Sequence, residues 1–140
     1  MGSWELLDHT ADVRFFVRGD DVGDFFVTAA LALTELLIGP GPPGPTQRRT
    51  VRAEGEGEGL EELLVDWLRE ILYLFQGEGL IAVEYDIIEM DRGHITARCG
   101  CAAFDPKGMS VATDIKAITY HDLVVTEDDG GVSARIVCDV

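Results

Sequence analysis

The stretch from Leu60 to Gln76, LEELLVDWLREILYLFQ, constrains this chain more than any other. Leu60, Leu63, Leu64, Trp67, Leu68, Ile71, Leu72 and Phe75 recur with the spacing that lines up one stripe of an α-helix. Such a stripe must be covered by a core, so the chain is expected to pack as one domain, residues 1–140, around this helix. Glu62, Asp66, Arg69, Glu70 and Tyr73 fall on the opposite side, where water solvates them. Gly77 is the expected stop, because glycine enters the left-handed cap conformation without a Cβ clash. Glu56, Glu58, Glu61 and Glu62 stand near the start, where the helix dipole favours negative charge.

A second helical pattern runs from Asp21 to Ile38, with Val22, Phe25, Phe26, Ala29, Ala30, Leu33, Leu36 and Leu37 on its apolar positions and Asp20 or Asp21 as N-cap. It ends at Gly39-Pro40-Gly41-Pro42-Pro43-Gly44-Pro45, which holds neither helix nor central strand and reads as an exposed loop. About seven strands surround these helices. Val13–Arg18 is read as the first, preceded by a short polar segment, and Thr50–Glu54 as the next. Leu80–Met90 and His94–Ala103 flank the turn Asp91-Arg92-Gly93, and a further strand is expected within Ser110–Ile118. Leu123–Glu127 and Val132–Val140 form a last hairpin around Asp128-Asp129-Gly130-Gly131. Two amphipathic helices with several hairpins predict an α+β fold, the helices packed on a largely antiparallel or mixed β-sheet.

Charge narrows the functional classes. The 26 acidic residues against 11 basic ones leave a net charge of −15, which repels phosphate backbones and argues against tight, direct nucleic-acid binding. No apolar run is long enough to cross a membrane, and the start lacks the basic and apolar parts of a signal peptide, so a cytoplasmic location is expected. Three cysteines, Cys99, Cys101 and Cys138, suit reduced thiols in that compartment. Cys99 and Cys101 share a strand face, and Cys138 lies in what could be the neighbouring strand. A zinc site would also need His94 or His121, and Cys-x-Cys is not the usual knuckle spacing, so buried, inert thiols are expected.

The Glu54-Gly55-Glu56-Gly57-Glu58-Gly59 run places glutamates where a phosphate cradle needs donors, which excludes a nucleotide loop. His9, His94 and His121 are scattered, and no nucleophile motif is present. More suggestive are the carboxylates at the two extremes of the chain. If the first and last strands are neighbours, Asp12, Asp139 and the Val140 terminus converge as hard oxygen ligands for calcium, magnesium or manganese. Solvated surface carboxylates are the plainer reading. Lys116, one of only two lysines, lies in the polar cluster from Asp114 to His121; it can pair with Asp114 or hold a phosphate or carboxylate as a point charge.

Taken together, His9-Thr10-Ala11-Asp12, Leu64-Val65-Asp66-Trp67-Leu68 continuing to Leu72-Tyr73-Leu74-Phe75, Asp114 with Lys116-Ala117-Ile118-Thr119-Tyr120-His121, and Asp139-Val140 resemble the archease family. The likeness covers nearly the whole chain. It implies a non-catalytic activator of the RtcB-type RNA ligase of tRNA splicing and RNA repair, one that speeds guanylylation of the ligase histidine from GTP and permits repeated turnover. GTP and RNA then concern this chain indirectly, through the ligase. The resemblance assigns Asp12, Asp139 and Val140 to a divalent metal, calcium first, and Asp12, Lys116 and Asp139 to ligase activation. Two other classes remain open from the residues alone. A small metal-dependent phosphoesterase would turn over a phosphodiester without a partner. A general acidic protein-binding or chaperone-like module would depend on the Gly/Pro loop and not on the last two residues.

Overall fold

The computed structural model describes residues 1–8 and 12–140. In chain order these form β1 (Ser3–Asp8), β2 (Asp12–Gly19), α1 (Val22–Ile38), β3 (Gln47–Glu54), α2 (Glu61–Glu78), β4 (Leu80–Met90), β5 (His94–Ala103), β6 (Ala117–Thr119), β7 (Thr126–Asp128) and β8 (Gly131–Asp139). The strands make two sheets. The first runs β1-β2-β8-β6 with β7 also on β8, the second β3-β5-β4, and every pairing is antiparallel. Each helix touches both sheets. A single apolar cluster therefore joins Phe15 of β2, Leu33 of α1, Trp67 of α2, Ile95 of β5 and Ile136 of β8. The α+β expectation holds, with the strands divided between two sheets.

Helix α2 lies at the centre of this cluster because its stripe is continuous: Leu63, Leu64, Trp67, Leu68 and Ile71 are all buried. The Trp67 indole donates its Nε1–H to the Phe26 carbonyl at 3.0 Å and meets Tyr85 edge-on, ring centroids 5.9 Å apart. Helix α1 is covered on most sides. Its Asp21 cap accepts from the Asp24 N–H at 2.8 Å, and Thr34 Oγ1 donates to the Ala82 carbonyl of β4 at 2.9 Å. Among the described residues no buried side-chain nitrogen or oxygen lacks a hydrogen-bond partner.

Five expectations need correction, one being the last hairpin, whose first strand is Thr126–Asp128 in place of Leu123–Glu127, with Asp128 in register with Gly131. Gly77 lies inside α2, and the left-handed cap is Gly79 at φ 66°, because the chain must reverse immediately before the buried Leu80 opens β4. The segment before Val13 is not merely polar: Ser3–Asp8 pairs along β2, and Trp4 packs edge-on to Phe15. Of Ser110–Ile118 only the last two residues are strand, since Ala117–Thr119 alone pairs with β8. Cys138 is not beside Cys99 and Cys101, which lie in β5 of the other sheet.

Candidate functional site

Strand β8 lies between β2 and β6, and this placement builds the site. Asp12 is the register partner of Asp139, and Asp139 in turn is the partner of Ala117. The Lys116 N–H donates to the Asp139 carbonyl at 2.8 Å. Residues from the beginning, the last third and the end of the chain thus meet at one edge of the first sheet, with Val140 directly after Asp139. His9, Thr10 and Ala11, which lead into Asp12, lie outside the described residues.

Strand alternation fixes the direction of these side chains. Val13, Cys138 and Ile118 are buried, so their neighbours Asp12, Asp139 and Ala117 are on the outward side. Carboxylates directly opposite each other repel. Arg14, two residues further along the same face, offsets this for Asp12 through an Nε–Oδ1 contact of 3.1 Å. The Asp139 side chain is exposed and, among the described residues, has no ion-pair partner. Behind it, burial and then the Asp139 charge push the Cys138 thiol up to about 12.

Helix α2 braces the lysine-bearing segment from the side. Gln76 Nε2 donates to the Ile115 carbonyl at 3.0 Å and, more weakly, to that of Lys116 at 3.5 Å. Arg69 donates to the Ile118 carbonyl at 3.3 Å while its guanidinium sits 5.2 Å from the centre of the Tyr120 ring. Thr119 Oγ1 donates to Val137 O at 3.1 Å and ties β6 to β8. The Lys116 side chain is exposed and forms no ion pair with Asp114. Neither Arg69 nor Gln76 is singled out by sequence. Both fall on the polar side of an amphipathic helix, where a residue that binds a distant carbonyl looks like any solvated one.

The remaining titratable candidates do not join this site. His94 bonds Glu89 at 2.9 Å and Asp91 at 3.1 Å, and these two carboxylates, Glu89 first, hold its pKa above the usual value. His121 pairs with Asp122 at 3.2 Å. Burial, with the charge of its neighbour second, pushes the Cys99 thiol up to about 12 and also raises Cys101. Among the described residues no three His, Cys, Asp or Glu side chains gather at metal-ligand spacing.

The profile of the Archease protein family matches residues 4–140, from β1 to the residue after β8. The chain belongs to the archease family. It is 37% identical over 142 residues to the protein archease of Methanosarcina barkeri, covering 98% of this chain and 95% of that one. It is 34% identical to the protein archease of Pyrococcus furiosus over the whole of both. The solution structure of Methanobacterium thermoautotrophicum protein 1598 matches it with a TM-score of 0.76, at 29% identity and 98% coverage of both chains. The archease fold thus accounts for both sheets and both helices. Among the described residues no helix is long and apolar enough to cross a membrane.

Proposed function

We propose that this archease activates an RtcB-type RNA ligase, promoting transfer of GMP from GTP to the ligase histidine and allowing many ligation turnovers. It acts as a non-catalytic protein cofactor in the cytoplasm. The observation supporting this most directly is the convergence of Asp12, Lys116 and Asp139 where β2, β8 and β6 meet. The exposed side chains of Asp139 and Lys116, on residues joined through the backbone, bring both signs of charge to this part of the sheet, suited to ordering a nucleotide or a charged loop in a partner's cleft. The net charge of −15 favours encounter with a basic, RNA-binding ligase.

The donor set fits a hard divalent ion: Asp12, Asp139 and the backbone oxygens of Val140 would hold calcium, magnesium or manganese. When bound, such an ion would neutralise the facing carboxylates and let them approach a phosphate. Arg14 does part of this already for Asp12.

Multiple-turnover ligation tests the reading. With the chain substoichiometric to the ligase, RNA ends bearing a cyclic or 3′-phosphate and a 5′-hydroxyl are expected to be joined for many cycles. A single turnover with or without the chain would refute it. Loss of effect on replacing the Gly39–Pro45 loop, with none on altering Asp139, would instead favour the protein-binding module.

A further inference from the structure

The outward face of the second sheet carries a charge pattern that the composition hides. Most arginines of this acidic chain are engaged: Arg14 with Asp12, Arg18 with Asp128, Arg49 with Glu78, Arg92 with Glu127, and Arg69 with Tyr120 and a carbonyl. Among the described residues Arg48, Arg52, Arg98 and Arg135 have no such partner. Three of those four share one face. Arg48 and Arg52 alternate with Thr50 along β3, and the register partner of Thr50 on β5 is Arg98, with Thr96 opposite Arg52 and Gly100 opposite Arg48. All three arginines are exposed.

We infer that this β3–β5 face is a contact surface for the phosphodiester backbone of single-stranded RNA. Successive side chains on one strand face are ~6.6 Å apart, two residues of extended chain. Arg48, Arg98 and Arg52 therefore advance in equal steps along β3, a stride comparable to that of consecutive phosphates in an extended nucleotide chain. Guanidinium and threonine hydroxyl groups are the donors that phosphates accept. An acidic protein partner is a poorer fit, because protein interfaces are built around an apolar centre and this strip has none. Nor does the strip hold an aromatic ring on which a base could stack, so the contact is to the backbone and blind to sequence. On the neighbouring β4, Asp86 is in register with Arg98 and bounds the track on one side, the Glu84 carboxylate leans over Gly100 opposite Arg48, and Glu54 with His94 closes the other end. Among the described residues neither β4 carboxylate forms an ion pair with an arginine. These carboxylates and the overall charge keep the contact weak, as suits a protein that does not act on RNA alone.

The inference goes beyond ligase activation, and its test uses the chain without a ligase, so either can fail separately. Fluorescence anisotropy would follow binding of a short, mixed-sequence single-stranded RNA as salt is raised. Three contacts predict a slope of log affinity against log salt of roughly −2, with ~0.7 lost for each arginine removed. Arg48→Gln with Arg52→Gln and Arg98→Gln together should abolish binding with the circular dichroism unchanged, whereas Arg135→Gln should leave it intact. Amide shifts on RNA addition should fall on β3 and β5. Absent binding at low salt, equal binding by the triple variant, shifts elsewhere, or equal affinity for polyglutamate would each overturn the inference, the last in favour of an acidic protein partner.

Discussion

The two sheets share an antiparallel plan and one core but present their outward faces differently. On the first, charged groups distant in sequence are collected at the edge where β8 joins β2 and β6, Arg14 and Arg18 are each matched to a carboxylate, and Arg135 of β8 stands alone among the described residues. On the second, alternation along β3 and its register with β5 set out arginines with no such match. Net charge is thus a poor guide to what any one face attracts. It averages over surfaces that the fold keeps separate.

The cysteines give the largest contrast with which to probe this arrangement, since Cys99 and Cys101 report on the second sheet and Cys138 on the first. Burial moves Cys99 and Cys138 from the ordinary 9.0 to about 12, lowering the thiolate population about a thousandfold. Native protein at mildly alkaline pH should therefore resist alkylation at both sites, and both should open at one common rate. Faster labelling of one sheet, read by mass spectrometry, would show that they are separate folding units.

Trp67→Ala should remove the shared support. Loss of a fully buried indole and its bond to Phe26 is expected to cost about 3–5 kcal/mol, melting both sheets together in a thermal scan. Lys116→Ala addresses the first sheet alone. Losing one contact to a charged group, worth roughly 1.5–3 kcal/mol, should lower ligase stimulation about ten- to a hundredfold, with no change in RNA affinity. Gln76→Leu, which removes one neutral brace of about 0.5–1.5 kcal/mol, should lower stimulation only two- to tenfold and the melting temperature by only a few degrees. The smallest effect belongs to His94, at the end of the arginine face. Its folded-state pKa is raised, so its contribution is complete below about 6.5 and fades as pH rises through the folded value. His94→Gln should flatten the melting temperature against pH in that window.

Much of this fold is legible in sequence because burial imposes period. The stripe from Leu60 to Phe75 and the apolar positions from Val22 to Leu37 give both helices, and Asp91-Arg92-Gly93 gives the β4–β5 hairpin. What sequence conceals depends on partners. Gly77 and Gly79 are equally good caps, and only the start of β4 chooses between them. β1 is strand because β2 offers it an edge, whereas Ser110–Lys116 meets only isolated backbone partners, Leu37 O for Ala112 and Asp139 O for Lys116, and forms no ladder. The meeting of Asp12 with Asp139 follows from strand order, which local pattern does not encode. Carboxylates at the two extremes of the chain and the archease resemblance both point to those residues, whereas the brace from Arg69 and Gln76 and the arginine track leave no signal beyond ordinary polar positions.

The most direct test of the central claim is the rate of GMP transfer from labelled GTP to the cognate ligase in manganese, with wild-type chain, Asp12→Ala, Asp139→Ala and the triple arginine variant compared at equal, substoichiometric concentration. The account predicts that wild type accelerates labelling, that both aspartate variants fold normally yet lose the acceleration, and that the arginine variant keeps it. Aspartate variants that stimulate as well as wild type would contradict the assignment of activation to the edge where β2, β8 and β6 meet.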